Sequence, residues 1–315
     1  MGIHFQQLGF KYDQLASKET LSNINIDIDA KDEFIFILGH TGSGKSTLVQ
    51  HMNALLLPTS GNLTVFNKQV VTKYANKIKF NTKKNHIKYN IKGHHILGKG
   101  VYPVYSTHLK EIRSNIGLVF QFPEYQLFEQ TVLKDVMFGP LNYGQNQAQA
   151  ERSSREACKL VGLTDDLLDR SPFSLSGGQM RRVAIAGTLA INPNILILDE
   201  PTVGLDPVGK EDLLNLLTKI NTEMHKSIIV ISHDMNIVAR FAKRVIVMDE
   251  GKVVYDGKKR PLFENIDNLL KFNLDLPTCA KLAIDLKKKG LINFSHLPLT
   301  KEELMKVIQG GDIYE

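Results

Sequence analysis

Cysteine is scarce. The 315 residues include only Cys158 and Cys279, far apart and in no CxxC pair. That excludes a disulfide-stapled scaffold and fits a reducing compartment. No uncharged apolar run approaches the ~18–20 residues that span a bilayer. The N-terminal Met1-Gly2-Ile3-His4-Phe5 lacks a basic stretch leading into an apolar one, so no secretory signal is expected. Internal repeats with periods of about 20–50 residues are missing, and so are sustained heptads.

What is present is ordinary for a globular protein, 43% hydrophobic and 23% charged. At roughly 100–200 residues per domain the length allows one large domain or two modest ones. The net charge of +6 is uneven: residues 68–110 hold ten lysines and no Asp, Glu or Arg, so the remainder is net acidic. A stretch that cannot neutralise itself favours an extended, solvated insertion. It also suits attachment to anionic lipid headgroups or an acidic partner. Tyr74, Phe80, Tyr89, Tyr102 and Tyr105 lie among the lysines, and basic residues interleaved with aromatics also mark nucleic-acid binders.

Ile24, Ile26 and Ile28 alternate with polar residues, the period of a half-buried strand. Continuous apolar runs at 34–38, 195–198, 228–231 and 245–248 suit strands buried on both faces. Strands are also expected at 61–66 and 116–120. Helical patterns lie at about 45–57, 147–161, 178–191, 208–223 and 234–242, and after Gly257 at 261–271, 277–289 and 300–309. Strands alternating with helices predict an α/β fold around a mostly parallel sheet.

Three motifs carry chemistry. Gly39-His40-Thr41-Gly42-Ser43-Gly44-Lys45-Ser46-Thr47 fits G-x-x-x-x-G-K-[ST] between an expected buried strand and an expected helix. In such a loop backbone N–H groups turn around phosphate oxygens, helped by the helix N-terminus. Lys45 would reach the β and γ phosphates, and the Ser46 hydroxyl would ligate Mg²⁺. The run at 195–198 ends in Asp199-Glu200, two carboxylates at the strand edge where ligands of open α/β sheets sit. Asp199 suits the Mg²⁺ shell, and Glu200 suits a general base for the attacking water. Leu175-Ser176-Gly177-Gly178-Gln179 opens a helix whose exposed N–H groups suit an anion; the plainer reading is a helix-capping turn with Ser176 as N-cap.

Together these motifs resemble the ATP-binding cassette (ABC) ATPases, in which LSGGQ is the signature. The resemblance assigns Gln121 to the Q-loop, Asp206 in Gly204-Leu205-Asp206 to the D-loop, His233 to the switch histidine and Tyr12 to the aromatic that stacks on adenine. It places Gln121 beside Ser46 and Asp199 as a Mg²⁺ ligand, and Glu200, His233 and Gln121 as catalytic. More narrowly, Gln50-His51-Met52-Asn53-Ala54-Leu55-Leu56, Phe120-Gln121-Phe122-Pro123-Glu124-Tyr125-Gln126-Leu127-Phe128, Ser171-Pro172-Phe173 and the tail Asp275-Leu276-Pro277 look like the ATPases of energy-coupling-factor (ECF) transporters, particularly the second of two paired paralogues. The match spans nearly the whole chain except about 68–110.

The resemblance implies a P-loop NTPase cassette with a parallel core, an antiparallel β subdomain and an α-helical signature subdomain at about 121–190. The cassette would fill 1–258 and a small C-terminal helical region 259–315. It implies ATP and Mg²⁺, and a dimer, either a heterodimer with a paralogous second ATPase subunit or a homodimer, since nucleotide lies between the loop of one subunit and the signature of another. A membrane coupling subunit and a substrate-binding membrane subunit would complete an importer for a vitamin or transition-metal ion. The chain would then be peripheral on the cytoplasmic face of the cell membrane, and no nucleic acid is expected. The alternatives are a soluble ABC ATPase of nucleic-acid maintenance or translation, and a cassette that binds without catalysis.

Overall fold

The structure is a computed structural model that describes residues 2–13, 18–75, 102–105 and 108–313. The chain opens with β1 (Gly2–Phe10), β2 (Leu21–Asp29) and β3 (Phe34–Leu38), then α1 (Lys45–Met52), β4 (Ser60–Val65) and β5 (Lys68–Gln69). A hairpin of β6 (Val71–Ala75) and β7 (Tyr102–Tyr105) leads to α2 (Leu109–Asn115) and β8 (Ile116–Val119). Helices α3 (Val132–Asn142), α4 (Gln147–Leu160), α5 (Asp165–Leu168) and α6 (Gly177–Leu189) follow. The chain then alternates β9 (Ile195–Asp199), α7 (Pro207–Met224), β10 (Ser227–Ile231), α8 (Met235–Phe241), β11 (Arg244–Asp249) and β12 (Lys252–Lys258). It ends with α9 (Lys259–Glu264), α10 (Ile266–Lys271), α11 (Thr278–Lys288) and α12 (Lys301–Ile308).

The central sheet has the order β12-β11-β3-β10-β9-β8. Four of its five pairings are parallel; that of β11 with β12, at one edge, is antiparallel. A second, antiparallel sheet has the order β2-β1-β4-β5. Side chains alternate across the parallel strands, and this period of two builds two cores. Phe34, Phe36, Leu196, Leu198, Ile228 and Val230 face the helical side. Ile35, Ile37, Ile195, Ile197, Ile229 and Ile231 face the antiparallel sheet and α1. The C-terminal region shares the first core through Leu262, Phe263, Phe272 and Leu299.

Several elements differ from the pattern-based expectations. Helix α3 carries Gly139 and Pro140, residues that normally punctuate helices, and so reads poorly as one. Pro140 sits in its last turns, and Gly139 abuts Ile191, whose side chain would lie 2.9 Å from an added Cβ. Helix α1 stops at Met52 rather than near 57, because Ala54 turns left-handed with φ 55°. The helix expected at 261–271 is two, divided at Asn265, whose side chain caps α10. The basic stretch is structured at its ends: Val70 and Val71 are buried, and Val70 N–H bonds Leu63 O. Residues 76–101, with Phe80, Tyr89 and most of the lysines, lie outside the described residues. Among the described residues no helix is long and apolar enough to cross a membrane.

Candidate functional site

The parallel strands deliver their C-terminal ends to one edge of the sheet, which is where an open α/β sheet receives ligands. β3 runs into the glycine-rich loop, β9 into Asp199 and Glu200, β10 into His233, and β8 into the exposed Gln121. Four separate sequence motifs therefore share one rim.

The loop needs its glycines. Gly39 has φ 139°, and a Cβ there would meet Met248 O at 2.2 Å. Gly44 caps α1 in the left-handed region at φ 101°. Lys45 Nζ donates to Gly39 O at 2.8 Å and His40 O at 2.9 Å. Burial holds its ammonium below the usual lysine range, while the Glu200 and Asp199 carboxylates pull it back up. His40 spans Thr41 O at 2.7 Å and Asp249 Oδ1 at 3.1 Å. Ser43 Oγ is buried with no hydrogen-bond partner, an orphan that an incoming acceptor or donor would satisfy.

Beneath the loop lies a chain of contacts. Tyr12, 65% exposed, bonds Thr47 Oγ1 through its hydroxyl at 3.2 Å and stands edge-on to Phe10. Phe10 in turn meets His51 edge-on, with ring centroids 4.6 Å apart. His51 is fully buried and its Nδ1 lies 2.7 Å from Thr47 O. Burial depresses its pKa to about 4.

Asp199 is 8% exposed and accepts from the Ser46 hydroxyl. Burial raises its carboxyl above the usual range; the Ser46 bond and Lys45 oppose this, and Glu200 adds to it. Glu200 sits at φ 48°, a left-handed conformation that costs a non-glycine residue roughly 1–2 kcal/mol. Its Oε1 lies 3.2 Å from His233 Nδ1, and its N–H bonds Ile231 O at 3.1 Å. A cleft of about 570 Å³ opens beside Glu200 and His233, with Asp275, Leu276 and Lys281 of the C-terminal region on its wall. The loop 39–47 is not part of that lining.

Residues 175–179 stand apart from this rim. Leu175 is buried, and Ser176 caps α6 in a reciprocal box: its Oγ accepts from Gln179 N, and Gln179 Oε1 accepts from Ser176 N. No hydrogen bond joins this turn to the loop 39–47 among the described residues. A Cβ added at Gly177 or Gly178 would meet nothing within 4 Å. Packing inside this chain therefore gives no reason for either glycine. Asp206 also caps a helix, its Oδ1 accepting from Gly209 N at 2.7 Å at the start of α7.

Sequence reasoning passed over Arg181, which reads as a surface charge on α6. It is 7% exposed, and its Nη1 donates to Pro201 O at 2.9 Å and Val203 O at 2.8 Å. Nor does the sequence around His51 signal that its ring is fully buried. As for metal, no group of three or more His, Cys, Asp or Glu gathers among the described residues. Ser46 and Asp199, joined by a hydrogen bond, supply oxygen donors suited to a hard cation that keeps waters and phosphate oxygens as its other ligands; the amide oxygen of Gln121 is a donor of the same kind on the same rim.

The family model described as ABC transporter matches residues 21–203. The chain is 42% identical over 310 residues to the energy-coupling factor transporter ATP-binding protein EcfA2 of Lactiplantibacillus plantarum, covering 98% of this chain and 94% of the relative. It is 40% identical to the EcfA2 of Streptococcus sanguinis, covering 98% and 100%. Among solved structures it resembles cbiO1 of Clostridium perfringens, part of the cbiONQ transporter complex, with TM-score 0.67 and 33% identity over 90% of this chain and 98% of that one. It also resembles the post-hydrolysis dimer of the cassette MJ0796 bound to ADP and Pi, with TM-score 0.62 and 29% identity over 82% and 99%.

Proposed function

The chain belongs to the ABC transporter family, and on that premise we propose that it is the ATP-hydrolysing subunit of an ECF-type importer. The observation that carries the reading is the shared rim: Lys45, Asp199, Glu200 and His233 arrive from three adjacent strands at one sheet edge. The loop 39–47 holds the phosphates, with Lys45 exchanging its carbonyl partners for phosphate oxygens, and Tyr12 stacks on the adenine. Ser46, Asp199 and Gln121 would hold Mg²⁺, which would supply charge to offset that of the phosphates. Glu200 takes the proton of the water that attacks the γ-phosphorus as the bond to the β-phosphate oxygen breaks. His233 fixes the Glu200 carboxylate and senses the γ-phosphate.

The turn 175–179 acts on the nucleotide of a second ATPase subunit. The open space at Gly177 and Gly178 supports this, because only a group from outside the chain explains a need for close backbone approach there. A membrane coupling subunit docks on the aromatic surface of the helical subdomain. Phe122, Tyr125, Phe128, Phe138 and Phe173 are 42–85% exposed there, a cluster that water disfavours. The chain is then peripheral on the cytoplasmic face, importing a vitamin or transition-metal ion through its membrane partners. Similarity to transporter subunits over nearly the full length favours this over nucleic-acid maintenance.

The test is purification of the tagged full-length chain from detergent-solubilised membranes. A second ATPase chain and integral membrane proteins should co-purify, with Mg²⁺-dependent ATP hydrolysis. Recovery of the chain alone from the soluble fraction, or with nucleic acid, would overturn the reading.

A further inference from the structure

Two adjacent arginines follow the signature turn, and they reach in different directions. Arg182 Nη1 donates to Val161 O at the end of α4, and its Nη2 lies 3.6 Å from Asp212 of α7. Arg181 is buried and reaches the other way, into the segment that follows Glu200. Its Nη1 holds Pro201 O and Val203 O at 2.9 and 2.8 Å. Its Nη2 lies 3.7 Å from Glu124 Oε2, just past Gln121. A buried guanidinium on two carbonyls is a costly arrangement that a surface lysine would avoid.

The segment it holds is a strained one. Glu200 is left-handed at φ 48°, a conformation disfavoured for a non-glycine residue. Such a backbone persists only when its surroundings over-determine it. From one side the restraints are Glu200 N–H on Ile231 O and the His233 contact. From the other side come the two bonds donated by Arg181. The Glu124 contact is looser: Arg181 Nε and Glu124 Oε2 are both buried without hydrogen-bond partners. A shift of less than 1 Å would convert the 3.7 Å contact into a hydrogen bond within the ordinary range.

We propose that Arg181 is a positioning residue for Glu200. It fixes the turn after the base from the first turns of the signature helix, so that engagement of 175–179 with the partner's nucleotide is felt at this chain's own base. Glu124 completes the link to the segment after Gln121. The inference rests on the assignment of Glu200 as base made above, and it adds a route between the two nucleotide sites of the dimer.

The experiment uses the purified complex containing the full-length chain. Hydrolysis at this chain's own site is followed in single-turnover reactions, as ADP formed on the chain photolabelled with 8-azido-ATP. Arg181→Met should lower that rate by about 10-fold or more, as expected for a displaced catalytic group. ATP affinity of the chain should stay unchanged, since Arg181 touches nothing in the loop 39–47. Arg181→Lys, which can still reach both carbonyls, should recover most of the rate. In a Glu200→Gln background Arg181→Met should add no further loss, because it acts through Glu200. Near wild-type turnover in Arg181→Met overturns the proposal. So does a rate that falls only in step with the melting temperature and is not recovered by lysine, which would make Arg181 merely structural. Near wild-type turnover in Glu200→Gln alone would instead refute the base assignment and leave the arginine contacts to be explained otherwise.

Discussion

His51 makes the nucleotide-binding half of the protein acid-sensitive by a calculable amount. It is buried in the last turn of α1 with a folded pKa near 4, against 6.5 in an unfolded chain. Burial is the leading cause, so the folded state holds the imidazole neutral. As pH falls, the unfolded chain takes up the proton first, and stability is lost. The contribution is fully present above about pH 6.5 and declines towards pH 4. Linkage gives RT ln[(1 + 10^1.5)/(1 + 10^−1)] at pH 5, about 2 kcal/mol lost relative to pH 8. Urea unfolding at pH 8, 6.5 and 5 reads this directly when wild type is compared with His51→Phe. Phenylalanine keeps the edge-on packing against Phe10 and removes the titration. Its stability at pH 8 will differ through the lost bond to Thr47 O, worth about 1 kcal/mol, so the change with pH carries the test. Wild type should lose about 2 kcal/mol more than the variant between pH 8 and 5. Equal losses would show that His51 is not held neutral by burial.

Lys45→Ala should abolish tight ATP binding, whereas Ser176→Arg should leave binding to the isolated chain intact and block hydrolysis in the dimer. A nucleotide-binding assay on both variants separates the roles, and equal loss of binding in the two would contradict them. In the basic stretch, Ala75 pairs directly with Tyr102 across the hairpin. Replacing 76–101 by Asn-Gly should therefore close a two-residue turn and leave ATPase activity unchanged. Deleting 70–106 instead removes the buried Val70 and Val71, at a cost of roughly 3–6 kcal/mol if each buried side chain contributes about 1.5–3. Melting curves of the two deletions distinguish them, and equal curves would refute the placement of those valines in the core.

The chemistry-bearing motifs were legible because they are local. Gly39 to Thr47 needs only strand, turn and helix in sequence, and Asp199-Glu200 needs only a buried strand ending at the sheet edge. The parallel strands were legible from apolar runs as at 34–38, since burial on both faces leaves no polar alternation. What escaped depends on distant partners. Arg181 is buried because two carbonyls some twenty residues on receive it, and no pattern within α6 says so. Helix α3 was hidden by Gly139 and Pro140, whose fit depends on Ile191. The C-terminal helices read in the sequence as an appendage, and Phe263 and Leu299 pack them onto the main core. Composition marks the basic stretch from 68, whereas Val70 and Val71 belong to the fold, because two valines among lysines carry too little signal on their own.

The proposed role of Glu200 as base at this chain's own nucleotide has a direct test. The complex containing Glu200→Gln is incubated with Mg²⁺ and 8-azido-ATP carrying label at the α or the γ phosphate, then irradiated. The label on this chain reports its own site, whatever the second ATPase subunit does. The account predicts a γ-to-α ratio near one in the variant, meaning ATP trapped unhydrolysed with turnover lowered roughly 10²-fold or more, and a ratio near zero in wild type. A ratio that falls in the variant as fast as in wild type would contradict it.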